Sequence, residues 1–276
     1  MKRSERLVDM TKFLMERPHT LIALPFFAKR YGAAKSSISE DLAILKHTLA
    51  NNEDGILETV AGAAGGVRYV PFLGQKPAEK YLKDLAGRIQ DSSRILPGGF
   101  VYLSDILGGP YDLEMIGKLI ATRYAYANIE AVMTVETKGI SLANAVASYL
   151  NVPAVTARKR SKVTEGATVS VNYMSSSTSR VAKMELPTRA LDKDTNVLIV
   201  DDFMKGGGTL DGMRQLVKEF DCQVAGVCVL CETEYEEERK IKDYVSLVNI
   251  DQIDSEKEII LAQPGNFLTR TNFDRF

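Results

Sequence analysis

Residues 197–209 read VLIVDDFMKGGGT, which is four apolar residues, two adjacent aspartates and a glycine-rich loop. A short, unbroken apolar run is typical of a strand that is buried on both faces of a parallel sheet. Asp201 and Asp202 then stand at the carboxyl end of that strand, where ligands bind in sheets of this kind. The stretch therefore predicts an α/β fold with a binding site at the end of this strand.

The loop after the aspartates predicts the chemistry of the ligand. It runs from Lys205 through three glycines to Thr209 and leads directly into a helix. Bare backbone N–H groups and a helix N-terminus converge on one point, which favours a phosphate. Two carboxylates alone fit a metal, acid and base chemistry, or two sugar hydroxyls. Beside a phosphate site they favour the hydroxyls, so we expect a ribose 5-phosphate group.

The loop is not a Walker A loop, since its lysine precedes the glycines, and it lacks the G-x-G-x-x-G of dinucleotide sites. It resembles the phosphoribosyl pyrophosphate (PRPP) signature of the type I phosphoribosyltransferases. The resemblance implies that PRPP is bound by Asp201, Asp202, Phe203, Met204, Lys205, Gly206, Gly207, Gly208 and Thr209. The enzymes usually have Ala and Thr where this chain has Lys205 and Gly206, which puts catalysis in doubt but not binding.

Two further segments fit the same family. Glu136 to Gly139 follows an apolar strand and resembles the family's loop for pyrophosphate and Mg²⁺. Residues 158–176 are similar in layout to xanthine and adenine phosphoribosyltransferases, with basic residues Arg158, Lys159, Arg160 and Lys162 opening the family's mobile loop. The implied pyrophosphate contacts are Thr137, Lys138, Gly139, Arg158 and Lys159. Tyr102 and Phe203 are expected to cover the ligand or to stack on a competing purine nucleotide. No protein-held metal and no catalytic residue is predicted.

The first 74 residues predict a separate DNA-binding unit. Residues 1–35 carry eight basic residues against three acidic ones, although the whole chain has a net charge of −1. Helical patterns run over 5–17 and 34–51, with a shorter apolar stretch before Gly32, and a β-hairpin follows around the small-residue loop Ala61 to Gly66. Three helices and a hairpin indicate a winged helix. A basic surface on an otherwise acidic chain fits a polyanion.

The helix after Gly32 enters the major groove by its N-terminal residues in a fold of this kind. Ile38, Leu42, Leu45 and Leu49 form an apolar stripe that must face a core. Ser37 to Glu40 matches a capping box, so the serines either only cap the helix or also leave its N-terminus available to a phosphate. The predicted groove contacts are Lys35, Ser36, Ser37 and Ser39. The predicted phosphate contacts are Arg3, Arg6, Lys29, Arg30 and Arg68.

Gly74 to Pro77 is predicted to link residues 1–74 to a second domain, residues 75–276. Helices and strands alternate beyond it, with FVYLSDIL (100–107) among the apolar strand candidates. Two strands joined by the serine-rich stretch Ser175 to Ser179 precede VLIVDD. Alternation of this kind predicts a mostly parallel sheet flanked by helices on both faces.

Three cysteines, Cys222, Cys228 and Cys231, include a CxxC pair. Because the pair lies in an apolar strand and no second CxxC exists, we predict buried core thiols rather than a zinc or redox site. No apolar run approaches the roughly 20 residues needed to span a bilayer. The N-terminus lacks a secretory signal pattern, so the chain is expected to be cytoplasmic.

A winged helix joined to a type I phosphoribosyltransferase fold is similar, over essentially the whole chain, to the purine operon regulators of Gram-positive bacteria. The stretches that carry the resemblance include AKSSISED, TKGISLANAVASYLNVP and VLIVDDFMKGGGT. It implies a homodimer that binds double-stranded operator DNA upstream of purine genes and senses PRPP without turning it over. Two alternatives stay open. One is an active purine phosphoribosyltransferase with an appended interaction domain, and the other makes residues 1–74 a protein interaction module.

Overall fold

The structure, a computed structural model, describes residues 1–62, 64–160, 166–175 and 180–275. Lys162 of the loop region, most of the serine-rich stretch, and position 63 in the hairpin loop lie outside the described residues. Within the described ranges, no helix is long and apolar enough to cross a membrane.

The N-terminal part is the predicted winged helix. Its elements are α1 (Arg3–Met15), α2 (Leu24–Tyr31), α3 (Lys35–Asn51), β1 (Ile56–Val60) and β2 (Gly66–Val70). Gly32 ends α2 in the left-handed region at φ 59°, which glycine adopts without strain. β1 and β2 pair as an antiparallel hairpin. Ile38, Leu42 and Leu45 are buried in this unit's own core with Met10 and Phe27, so the predicted stripe is confirmed.

The predicted serine cap of α3 is wrong. The N-cap position is Ala34, whose side chain makes no cap hydrogen bond, and Ser37 lies inside the first turn. Ser39 donates its hydroxyl to the carbonyl oxygen of Lys35 at 3.0 Å, a back-bond that serine forms inside helices. The first N–H groups of α3 are therefore left without a side-chain partner.

The linker predicted at Gly74 to Pro77 is instead the beginning of a helix. Gly74 is the N-cap of α4 (Gln75–Ile89), and Pro77 lies in the first turn, where a missing N–H removes no helical hydrogen bond. Tyr81, Leu82 and Leu85 bury the inner face of α4 in the core of the second part. A packed helix therefore follows the winged helix directly.

The predicted strand at 100–107 divides into other elements. A short hairpin of β3 (Ile95–Leu96) and β4 (Phe100–Val101) is followed by helix α5 (Ser104–Gly108) and then by α6 (Pro110–Tyr124). Gly98 and Gly99 form the tip of the hairpin with φ of 84° and 72°. The apolar run was misassigned because it contains one buried strand residue and then a helix of its own.

The second part is built on a six-stranded sheet in the order β12-β11-β10-β9-β5-β6. The strands are β5 (Ala131–Val135), β6 (Ala154–Ala157), β9 (Asn196–Met204), β10 (Gln223–Thr233), β11 (Val245–Asp254) and β12 (Ile259–Pro264). All neighbours are parallel except β11 and β12. The predicted mostly parallel sheet is confirmed, and β11 and β12 lie beyond the last predicted strand.

Helices cover both faces of the sheet, as predicted. Leu198 and Val200 of β9 face a core that contains α4, α6 and α7 (Gly139–Leu150). Val197 and Ile199 face a second core that contains α8 (Gly208–Glu219). An antiparallel ribbon of β7 (Thr168–Ser175) and β8 (Arg180–Pro187) packs over α8, and a short α9 (Phe267–Arg270) follows β12.

Polar contacts join the winged helix to α6 and α7. Lys118 of α6 donates to the carbonyl oxygen of Asp54 at 3.2 Å and forms an ion pair with its carboxylate. Thr122, also of α6, accepts from the Leu73 amide at 3.0 Å. Asn151, at the end of α7, donates to the Thr20 hydroxyl at 3.2 Å. These contacts span residues 20–73 of the winged helix, so the two parts meet over a shared surface.

Candidate functional site

A cavity of about 1030 Å³ opens at the carboxyl ends of the parallel strands. The predicted site residues that line it are Lys138, Lys159, Asp201, Asp202, Phe203, Met204, Lys205, Gly207, Gly208 and Thr209. Two loops that are far apart in sequence therefore meet in one pocket, as open α/β sheets predict. Thr137, Gly139, Arg158 and Gly206 are next to lining residues in the sequence, whereas Tyr102 does not line the cavity.

Asp201 and Asp202 do not end their strand, because β9 continues to Met204 alongside β10. On its other side, β9 pairs with β5 only as far as Ile199, so the aspartates stand where the sheet opens. Asp201 is buried and Asp202 is half-buried. Burial, and then the charge of Asp202, raise the pKa of the Asp201 carboxyl well above its ordinary value. The two carboxyl groups present oxygens that can accept hydrogen bonds from hydroxyl groups.

The glycine loop presents backbone to the cavity. Gly207 is the N-cap of α8 in the left-handed region at φ 77°, and glycine has no side chain to cap the helix. The carbonyl oxygen of Gly206 accepts a hydrogen bond from the Lys240 amide at 3.0 Å. The N–H of the same peptide, which belongs to Gly207, therefore points in the opposite direction. The backbone N–H groups and the dipole of a helix N-terminus favour an anion.

Tyr173 of β7 lines the cavity, although the sequence analysis did not single it out. Its hydroxyl hydrogen-bonds with Thr209, and burial raises its pKa. Its ring packs on α8 at Gly212, where a Cβ would lie 2.8 Å from the ring. A glycine in the middle of a predicted helix was the one available signal that something large packs there.

The second loop is held tightly against the strands. Lys138 is the N-cap of α7 and Gly139 its first residue, and the Glu136–Thr137 peptide is cis. A Cβ on Gly139 would lie 2.0 Å from Oγ1 of Thr134 and 3.4 Å from Oδ1 of Asp201. The N-terminus of α7 therefore packs on Thr134 of β5 at a distance that only glycine permits, and this packing brings it into van der Waals contact with Asp201.

Glu136 organises the basic residues near this loop. Its carboxylate accepts from the Lys159 amide at 2.8 Å and from the Arg158 guanidinium at 3.4 Å. The Lys159 side chain is exposed and lines the cavity, whereas Arg158 is half-buried next to the lining. Two exposed ammonium groups, those of Lys138 and Lys159, thus border the pocket on its anion-binding side.

Tyr102 is not brought to the cavity. Its neighbours Val101 and Leu103 line the pocket, but the Tyr102 ring lies outside the lining and is 43% exposed. Its amide donates to the Arg94 carbonyl oxygen at 2.8 Å, which fixes the backbone in that orientation. Phe100 lines the pocket instead. The tip of the β3–β4 hairpin borders the same cavity as Phe203 and the two aspartates.

The predicted DNA contacts fall into two groups. Lys29, Lys35, Ser36 and Ser39 are exposed, and Ser37 is half-buried. The four predicted arginines are each paired with an acid: Arg3 and Arg6 with Asp41, Arg30 with Asp9, and Arg68 with Glu58. Glu58 also accepts from the hydroxyl of Tyr126, beyond α6, at 2.5 Å. The excess of basic residues in the N-terminal segment is therefore larger than the positive charge that is left without an acidic partner among the described residues.

Cys228 and Cys231 are fully buried free thiols, and burial raises the pKa of both. Cys222 is a half-buried free thiol. The described part of the chain contains no group of three or more histidine, cysteine or acidic side chains that is arranged to hold a metal ion.

Sequence comparisons match two separate regions of the chain. A profile of the bacterial purine repressor N-terminal domain matches residues 2–71, and a phosphoribosyl transferase domain profile matches residues 104–262. The second match covers more than half of the chain. The α4 helix and the β3–β4 hairpin lie between the two matched regions.

Full-length relatives are regulators. The chain is 52% identical to the purine biosynthesis transcriptional repressor PurR of Bacillus subtilis, over 97% of this chain and 94% of that protein. It is 49% identical to the purine biosynthesis transcriptional activator PurR of Lactococcus lactis, over 96% of this chain and 98% of that protein. A xanthine phosphoribosyltransferase of Alkaliphilus metalliredigens is 28% identical over 54% of this chain and 75% of its own length.

Proposed function

This chain belongs to the PurR family of purine biosynthesis transcriptional regulators, and from that membership we propose that it senses PRPP without consuming it. The observation that carries the proposal is that the N-termini of α7, at Gly139, and α8, at Gly207, meet the Asp201–Asp202 pair in one cavity. PRPP has a 5-phosphate, two ribose hydroxyls and a pyrophosphate in that order, so one cavity offers a match for each group.

We assign the groups of PRPP to the residues that line the cavity or lie next to it. Asp201 and Asp202 hold the ribose hydroxyls, and the N–H groups of Lys205 to Thr209 hold the 5-phosphate. The pyrophosphate lies against Thr137, Lys138 and Gly139, with Arg158 and Lys159 at its edge. Mg²⁺ arrives on the pyrophosphate, whose oxygens are the hard ligands it prefers. Phe203 and Phe100 are the aromatic side chains placed to cover the ligand.

Binding without turnover is supported by the residues at the glycine loop. Lys205 brings a long cation where the enzymes have a small residue, and the full-length relatives are named as regulators. The rival proposal is an active purine phosphoribosyltransferase. Incubation with purine bases, PRPP and Mg²⁺ separates the two, because formation of a nucleotide by the pure protein would establish the enzyme.

DNA affinity and PRPP affinity are linked in this proposal through α6 and α7. α7 begins at the pyrophosphate loop and ends at Asn151, which contacts Thr20 of the winged helix. α6 contacts Asp54 and Leu73. A ligand that favours one position of α7 therefore biases the winged helix, with a coupling of about 1–3 kcal/mol in typical cases.

On the DNA side, we propose a homodimer in which α3 enters the major groove of each half-site. Lys35, Ser36 and Ser39 are placed to reach the groove, and Lys29 to reach a phosphate. Residues 1–74 form the DNA-binding domain and residues 75–276 the effector domain. The relatives include a named repressor and a named activator, and the position of the operator relative to the promoter decides between these two outcomes.

Binding of the purified chain to duplex from upstream of its own organism's purine genes tests the proposal. We expect tighter binding to that duplex than to random duplex at the same salt, and a shift of about 5- to 150-fold when PRPP and Mg²⁺ are added. Equal binding to both duplexes would favour an interaction module. Specific binding that ignores PRPP would remove the sensor from the proposal and leave the regulator.

Gly139→Ala is expected to weaken PRPP binding about 10-fold or more. The new methyl group would overlap Oγ1 of Thr134, so the start of α7 has to move, and a displacement of about 1 Å costs up to about 100-fold at a positioned group. Thr134→Ala removes that oxygen and is expected to restore binding in the double variant. Thr134→Ser keeps the oxygen and serves as the matched control. Calorimetry with PRPP measures the wild type and each of these variants. If the double variant Gly139→Ala, Thr134→Ala did not regain PRPP binding, the steric argument would be contradicted.

A further inference from the structure

The outward face of α3 carries an unexpected negative charge. Helical spacing places Ser36, Glu40, Ala43 and His47 opposite the buried stripe, and all four are exposed. In the proposed function this face lies in the major groove, between two rows of phosphates. A carboxylate at its centre repels those phosphates, so its presence calls for a compensating interaction.

The Glu40 carboxylate is not required to hold the winged helix together. Its side chain is 69% exposed, and it contacts the Arg3 guanidinium at 3.4 Å. Arg3 makes its shorter hydrogen bond, 2.9 Å, to the buried Asp41. An exposed pair of this kind contributes little to stability. Arg3 therefore partly neutralises Glu40 through Oε2, while Oε1 accepts no hydrogen bond within the described residues.

An ionised carboxylate accepts hydrogen bonds and donates none. In the major groove, guanine presents acceptors and thymine presents an acceptor and a methyl group, while adenine presents an acceptor beside its amino group. Cytosine presents an amino donor alone at its edge, and glutamate and aspartate are the side chains that accept from it. The small neighbours Ser36 and Ala43 leave Glu40 room to approach a base.

From this geometry, and resting on the proposed DNA-binding function, we propose that Glu40 reads the exocyclic amino group of one cytosine in each operator half-site. The same carboxylate penalises every sequence that offers it only acceptors or phosphates. Glu40 thus lowers general affinity for DNA and raises affinity for one base pair, which is how specificity is gained by disfavouring the competitors.

Glu40→Ala and Glu40→Gln test the proposal on operator and random duplex at one salt concentration. We expect Glu40→Ala to bind random duplex several-fold more tightly and the operator about 10-fold more weakly, as loss of a base contact of about 1–3 kcal/mol implies. Glu40→Gln is expected to change the preferred base from cytosine to adenine, since glutamine pairs with the adenine edge. Glu16→Gln, which removes an exposed carboxylate from the end of α1 instead, is the charge-matched control.

The base itself is tested by replacing each operator cytosine in turn with 2-pyrimidinone, which lacks only the amino group. At one position per half-site the wild type should lose about 10-fold while Glu40→Ala loses nothing. Parallel losses in both proteins at every cytosine would overturn the proposal, as would equal gains by Glu40→Ala on operator and random duplex. If the wild type itself binds operator and random duplex equally, the proposed DNA-binding function fails, and this result is distinct from a failure of the Glu40 proposal, in which the wild type still prefers the operator.

Discussion

The double variant Asp201→Asn, Asp202→Asn is expected to lose its response to PRPP and to be more stable than the wild type at neutral pH. In the proposed complex each carboxylate accepts a hydrogen bond from a ribose hydroxyl. Hydrogen bonds to charged groups contribute about 1.5–3 kcal/mol each, so each substitution weakens PRPP binding about 10- to 100-fold. DNA binding without PRPP should persist, because the aspartates lie far along the chain from the winged helix.

The stability gain has a definite pH dependence. Burial and Asp202 raise the pKa of Asp201 in the folded protein, so the folded state holds its proton more tightly than the unfolded state does. Stability from this group is fully present below the unfolded pKa of about 3.9 and is lost as pH rises through the folded pKa. Asparagine at this position does not titrate. The difference between Asp201→Asn and the wild type in unfolding free energy should therefore grow as pH rises.

Denaturant unfolding at several pH values, alongside PRPP calorimetry, checks both parts. Asp221→Asn serves as the control, because Asp221 has a positive φ of 54°, which asparagine tolerates, and pairs only with the exposed Lys193 among the described residues. If Asp201→Asn lowered stability at every pH, the aspartates would stabilise the fold. They would then not be a ligand site whose burial lowers the free energy of unfolding.

The sheet and its site were predictable because local signals and the fold agree. VLIVDD is buried on both faces of the sheet. Its unbroken apolar run indicates this burial without information from any other segment. The two loops converge because parallel strands end at one edge. The Phe100 position was not predictable, since a two-residue strand and a Gly-Gly tip decide which aromatic side chain turns inward.

Predictions that depended on partners distant in sequence were less successful. Gly74 and Pro77 read as a break, but the helix that they begin is held by burial of Tyr81 and Leu82 against the sheet. The arginines were predicted to be available for phosphates because a count of charged residues does not show which acids lie next to them in the fold. Arg6 pairs with Asp41, which is 35 residues away in sequence.

Arg6→Ala is accordingly expected to unfold the winged helix rather than simply to remove a phosphate contact. The Arg6 side chain is only 12% exposed, and its guanidinium lies 2.5 Å from the Asp41 carboxylate, which is fully buried. Removing one partner of a buried pair leaves the other charge buried, which shifts the folding equilibrium by about 100-fold or more. Arg3 also pairs with Asp41, but it is half exposed, so Arg3→Ala should have the smaller effect.

The pair also predicts acid sensitivity of this unit. Burial alone would raise the Asp41 pKa, but hydrogen bonds from Arg6 and Arg3 outweigh it and hold the pKa of that carboxyl below its ordinary value. A lowered pKa gives stability that is present above the unfolded pKa and is lost as pH falls through the folded pKa. Asp41→Asn should lose this dependence on pH. Thermal unfolding between about pH 2 and pH 7, which covers the range where carboxylates titrate, measures the difference.

The double variant Arg6→Met, Asp41→Leu separates packing from DNA contact. Replacing a buried ion pair by apolar side chains of similar size is often neutral or stabilising, so this protein should fold although Arg6→Ala does not. If Arg6 acts only through Asp41, the double variant binds operator DNA with the wild-type salt dependence. If Arg6 also contacts a phosphate, the double variant folds but binds more weakly, and the slope of log affinity against log salt falls by about one. The slope, rather than the affinity alone, distinguishes these outcomes, because a folding defect lowers affinity at all salt concentrations equally.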